Sequence, residues 1–180
     1  MAAPRISRDG DRPTVEVAEL RQRFGERRDV HRTLQFRDDL VVGSTRVPAG
    51  SDVEVDLALE SIQGGISATG QVHVSWEGEC RRCLGPVTGG LGIEVAEVFA
   101  DAPVEGETYP IDHDVIDLAE MARDAVLLDL SPAPLCREDC PGPDPDRFTV
   151  TVESDDEPAE PPRDPRWAAL DVLLDPPPDN

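Results

Sequence analysis

Lysine is absent from this chain: all 17 basic residues are arginine, and 38 carboxylates outweigh them for a net charge of −21. That imbalance argues against wrapping nucleic acid electrostatically, which needs clustered cations, and it favours a protein partner with a basic face. Aromatic residues are scarce, at 4%, while 18 prolines and 14 glycines predict much irregular structure. Long apolar runs are missing as well. Nothing supplies the roughly 18 consecutive apolar residues of a spanning helix, and Met1 to Asp9 lack the apolar stretch of a signal peptide. The expectation is a soluble protein in a reducing cytoplasm, away from any membrane. His31, His73 and His113 are dispersed, and Asp112 and Asp114 beside His113 read as a solvated charge run. A nuclease needs several convergent carboxylates around magnesium, so the chain is expected not to be an enzyme.

What is present is a set of four cysteines in two close pairs, Cys80 and Cys83 at C-x2-C spacing and Cys136 and Cys140 at C-x3-C spacing. Two loops that each present two sulfurs suit a tetrahedral zinc ion. A reducing compartment disfavours disulfides, which leaves reduced unliganded thiols and a redox dithiol as the other readings. The dithiol wants a helix start in a βαβ context, whereas here a strand-like run with Trp76 precedes the pair and Gly85-Pro86 follows it. Arg81, Arg82 and Arg137 lie within or beside the pairs, where guanidinium groups offset the net double negative charge of a four-thiolate site. The alternative for them is a solvated rim. Against a single site stands the separation of the pairs, with 52 residues running from Leu84 to Leu135.

Taken in order, residues 1–13 are polar and read as a disordered arm, and residues 14–152 as one α+β domain. Val15, Val17 and Leu20 suggest a short extended piece entering one helical turn that Gly25 stops, with Leu20 and Phe24 covering a core edge. Leu34 to Val47 suggests a strand interrupted near Arg37-Asp38-Asp39, and Val53 to Leu59 alternates as a strand with one wet face. Alternation resumes from Ile66 to Trp76, with a bend or bulge expected at Gly70, and again over Leu91, Ile93 and Val95. Cys80 and Cys83 then become the tip of a hairpin. Residues 101–116 are acidic and read as a loop. Asp117 and Glu120 form a capping-box pattern for a helix over residues 117–130, whose stripe is Leu118, Met121, Ala122, Ala125 and Leu128. Ser131-Pro132 ends it, and Pro134-Leu135 leads into Cys136.

The fold class expected is therefore α+β: a small antiparallel sheet or partial barrel, one main packed helix, and a disordered acidic proline-rich tail. Thr149 to Val152 offers a further short strand, residues 153–163 a linker, and residues 164–180 a tail whose Trp167 and Leu170 form an apolar patch able to dock on the sheet or on a partner. Charge is unevenly placed: residues 1–37 carry nine arginines against six carboxylates, and residues 151–180 carry nine carboxylates against Arg163 and Arg166. An arginine-bearing front can touch RNA locally, although a solvated arm is the plainer reading.

Glu79-Cys80-Arg81-Arg82-Cys83-Leu84, the helix start Asp117-Leu118, and Pro134-Leu135-Cys136-Arg137-Glu138-Asp139-Cys140-Pro141-Gly142 together resemble the YceD family of large ribosomal RNA subunit accumulation proteins. Asp164-Pro165-Arg166-Trp167 resembles the closing segment of actinobacterial members. The resemblance implies a cytosolic bacterial protein needed for accumulation of large-subunit ribosomal RNA, without assigned catalytic activity. It further implies partnership with a large-subunit precursor or a ribosomal protein, with Arg81, Arg82, Arg137 and Trp167 as candidate contacts. After the second pair the chain departs from the family, whose members commonly continue Gly-Leu-Cys-x-x-Cys-Gly: here Asp144 and Arg147 stand at the cysteine positions. A site that used those two would be lost; a site using the four retained would be whole. Asp144 is an oxygen-ligand candidate or a solvated loop carboxylate. A zinc- or redox-responsive regulator is the alternative function.

Overall fold

The structure, a computed structural model, describes residues 13–147. Its elements are β1 (Thr14–Glu16), α1 (Ala18–Arg21), β2 (Arg27–Gln35), β3 (Leu40–Val42), β4 (Thr45–Val47), β5 (Asp52–Ile62), β6 (Gly65–Glu79), β7 (Pro86–Ala100), β8 (Tyr109–Asp112), β9 (Val115–Asp117) and α2 (Leu118–Asp129). Nine strands form one sheet curled into a half-barrel, and α2 is its main helix. The sheet is larger than expected, and one pairing is parallel, β7 with β8. The expected tail and the Thr149 to Val152 strand lie outside the described residues.

Long β6 is the spine of the sheet. It pairs with β7 along its whole length, from Gly65 with Ala100 to Glu79 with Pro86, and on its other side with β5 and then β4. β2 closes one edge by pairing with β5. The period-2 pattern of β5 turns Val53, Val55, Leu57 and Leu59 inward and Asp52, Glu54, Asp56 and Glu60 to water, as its sequence demands. Gly70 introduces no bulge: Leu57 sits opposite it in an unbroken register. A Cβ there would lie 2.0 Å from the Asp56 carbonyl oxygen, so glycine serves close approach of two strands.

Helix α2 lies against β1, β3, β6 and β7. Leu118, Met121, Ala122 and Val126 are buried, with Ala125 partly so, and Leu118, Met121 and Val126 each contribute about 1.5–3 kcal/mol of transfer free energy. Asp117 caps the helix by accepting from the Ala119 N–H at 2.8 Å. Glu120 makes no return bond to complete the capping box. The expected stripe is corrected at its end, since Leu128 is 89% exposed and Val126 and Leu130 take its place. Phe24 is corrected likewise: at 81% exposed it covers no core, while Leu20 is buried.

Two further corrections concern strands. The region from Leu34 to Val47, read as one interrupted strand, holds the end of β2 and then β3 and β4, because Gly43 adopts a positive φ of 60° in a two-residue turn that reverses β3 into β4. The supposed acidic loop over residues 101–116 contains β8 and β9, which bury Ile111 and Ile116. Phe99 of β7 packs against Tyr109 of β8 with ring centroids 5.4 Å apart.

Candidate metal centre

Cys80 and Cys83 occupy the loop that closes the β6–β7 hairpin. The loop is shaped by its own backbone: the Cys80 N–H donates to the Gly85 carbonyl at 2.8 Å, and the Leu84 N–H to the Cys80 carbonyl at 2.9 Å. Leu84 pays for the tight turn with a φ of 59°, a left-handed conformation costing a non-glycine residue about 1–2 kcal/mol. Cys136 and Cys140 follow α2, whose last turn gives way to Ser131-Pro132-Ala133-Pro134-Leu135. The Cys140 N–H donates to the Arg137 carbonyl at 3.2 Å, turning the second pair inward.

Helix exit and hairpin tip are bonded to each other directly. The Arg81 N–H donates to the Pro134 carbonyl at 3.0 Å, and the Ser44 N–H donates to the Pro132 carbonyl at 3.0 Å. Ser44 Oγ reaches the Glu79 carbonyl at 3.2 Å, so the β3–β4 turn ties both segments together. Gly43 permits this, because a Cβ at that position would stand 2.1 Å from the Pro132 carbonyl oxygen. Arg82 forms the last strap: Nη1 donates to the carbonyls of Glu138 at 3.0 Å and Cys140 at 3.1 Å.

All four sulfurs consequently lie within 4.8 Å of one another. Cys80 Sγ is 3.7 Å from Cys140 Sγ, and Cys83 Sγ is 3.9 Å from Cys136 Sγ, each close contact joining one loop to the other. Four thiolates at about 2.3 Å from a tetrahedral ion stand roughly 3.8 Å apart, so the arrangement is compatible with a metal site. The same separations far exceed the S–S bond of about 2.05 Å, and all four cysteines are free. Cys80 and Cys140 are buried, whereas Cys136 is exposed.

Electrostatics favour thiolate at one corner. Backbone N–H groups, that of Cys83 foremost with those of Cys136 and Arg82, lower the Cys80 thiol to about 6 against the opposition of burial. Cys136 is pushed up to about 12, first by the Cys140 sulfur and then by burial and the sulfurs of Cys80 and Cys83. Four sulfurs this close cannot all ionise without a cation among them, which is the demand that a divalent ion meets. With four sulfur ligands no coordination position remains for a substrate, so a metal held there supplies cross-linking rather than chemistry.

The other expected site residues fall differently. The Arg81 side chain is exposed, Arg137 pairs with Asp139 at 3.2 Å, and Arg82 is engaged by the two carbonyls. Trp167 lies outside the described residues. Asp144 stands apart from the sulfur cluster and accepts the Arg147 N–H at 3.3 Å. Nothing in the residue types marked the strap of Arg82 or the Gly43–Pro132 contact in advance; only the glycine in a strand-rich stretch hinted at the second. Among the described residues no helix is long and apolar enough to cross a membrane.

Residues 68–174 match a protein family described as large ribosomal RNA subunit accumulation protein YceD. The chain is also similar to uncharacterised proteins of Mycobacterium bovis and Mycobacterium tuberculosis, 34% identical over 170 residues that span 91% of this chain and 82% of theirs. An uncharacterised protein of Mycobacterium leprae is 35% identical over 136 residues, 71% of this chain and 61% of that one. No solved structure matches.

Proposed function

Because the chain belongs to the YceD family of large ribosomal RNA subunit accumulation proteins, we propose that it is a non-enzymatic cytoplasmic factor supporting assembly of the large ribosomal subunit, and that its four cysteines hold a structural zinc ion. The observation that carries the reading is the family match over residues 68–174, a span that includes both cysteine pairs. Zinc bound there would join the hairpin apex to the helix exit, where few apolar side chains are available to do so. The exposed Arg81 and Arg137 at the rim, with Trp167, are the proposed contacts to a large-subunit precursor or a ribosomal protein. Direct contact with RNA would be confined to such local arginine surface, since the net charge of −21 opposes any broad one.

Depleting the protein and profiling ribosomal RNA tests the role. The expected result is a selective fall in large-subunit RNA relative to small-subunit RNA, with the protein sedimenting among large-subunit precursors. Unchanged RNA ratios and absence from those fractions would refute it. One observation favours a second reading, a zinc- or redox-responsive regulator: the exposed Cys136 lies 3.9 Å from Cys83, within reach of oxidation. Under that reading oxidant changes the oligomeric state while ribosomal RNA stays constant.

A further inference from the structure

A groove of about 770 Å³ lies between α2 and the connection from β7 to β8. Tyr109, Leu127 and Leu128 give it an apolar lining, and Leu128 is 89% exposed at its lip. Around this lining stand five carboxylates, Glu97, Glu105, Glu107, Glu120 and Asp124, and no basic residue lines the groove. Two arginines elsewhere each draw in a pair of carboxylates: Asp101 and Asp114 share Arg21, and Asp39 and Glu77 share Arg46. In the groove only Asp124 has such a neighbour, Arg123 at 3.6 Å. The other four make no ion pair among the described residues.

This negative field reaches the lining. Tyr109 donates to Asp124 at 3.4 Å, and its phenol is pushed up to about 12 by burial first and then by Asp124, Glu97 and Glu120. The connection that carries Glu105 and Glu107 is already shaped: the Val104 N–H donates to Thr108 Oγ1 at 2.8 Å, and the Val104 carbonyl accepts from Glu107 and Thr108. A preformed wall lowers the ordering cost of binding. Apolar lining inside an acidic rim calls for a ligand of the complementary pattern.

We propose that this groove receives an extended arginine- or lysine-rich segment of another protein, an apolar side chain of that segment resting on Tyr109 and Leu128 while its cations face the carboxylate rim. The chain's own ends match less well. Residues 153–163 contain five carboxylates and a single arginine. Pro13, which follows residues 1–12 in the chain, lies at the start of α2, its carbonyl accepting the Leu118 N–H, but the three arginines of residues 1–12 are opposed by Asp9 and Asp11. The groove's chemistry is independent of the ribosomal role and suits any strongly cationic protein segment.

Fluorescence anisotropy on the full chain tests this, with a labelled peptide repeating Arg-Arg-Leu as the probe. Replacing both Glu105→Arg and Glu107→Arg should weaken binding at least about tenfold, and Leu128→Asn, which leaves the charge unchanged, should weaken it several-fold without touching the core. Replacing Glu54→Arg and Glu60→Arg on the wet face of β5 makes the same change in net charge and should alter affinity by less than about twofold. Equal losses from the two double variants would reduce the binding to whole-molecule charge and overturn the proposal. So would an unaffected Leu128→Asn variant, or a peptide that binds only after residues 1–12 are removed, which would make the chain's own arm the occupant.

Discussion

Single residues decide the character of both surfaces described above. Leu84, 69% exposed and left-handed, accepts backbone strain so that the N–H groups of its loop turn toward the Cys80 sulfur. Tyr109 reports the acidic groove, and as the only tyrosine in the chain it gives an unmixed optical titration. Its phenolate absorbance should appear with a midpoint near 12 rather than at the ordinary 10.0. Below 10 both the folded and the unfolded chain keep the proton, so stability is indifferent to this group; between 10 and 12 the unfolded chain ionises first, and stability falls as pH rises. A midpoint at the ordinary value would contradict both the burial of this phenol and the carboxylates placed around it. Neither property was legible from residue type. The sequence shows a tyrosine after an acidic run, but not that Asp124 and Glu120, from a helix after it, face the same space.

Among the elements, what could be read in advance was what repeats. α2 was legible because Asp117 caps a run with apolar residues three and four apart, and β5 because its alternation is unbroken. β8 and β9 were not, since four and three residues are too few to show a period, and each buries only one isoleucine. β2 was disguised by its arginines: as an edge strand it buries only Val30 and Leu34. The β3–β4 turn carries the most consequence for the cysteine site. Gly43→Ala should cost roughly 2–4 kcal/mol, because its Cβ would collide with Pro132 as well as strain a positive φ. Gly50→Ala, at a positive φ with nothing within 4 Å, should cost only about 1 kcal/mol. Denaturant titration measures both, and only the Gly43 variant should also lose metal more readily, since Pro132 sits in the segment that brings Cys136 to the site. Equal costs for the two would detach the turn from that segment.

For the molecule as a whole, the meeting of the two cysteine pairs was legible from connectivity: a hairpin tip on one side, and on the other a helix whose end runs through Pro134-Leu135 into Cys136. The means of their meeting was not, because it rests on backbone carbonyls that residue types do not announce. Overall charge, too, was legible as a total but not as a pattern; the fold lines one groove with five carboxylates and no basic residue, while Arg82 straps the cysteine loops together. Metal content with parallel thiol counting on the native chain tests the central claim most directly. One zinc per chain is expected, with the four thiols unreactive until a chelator removes the ion and all four then titrating together as the melting temperature drops. A native chain free of metal, its thiols open to reagent and its melting temperature unmoved by zinc or chelator, would contradict it.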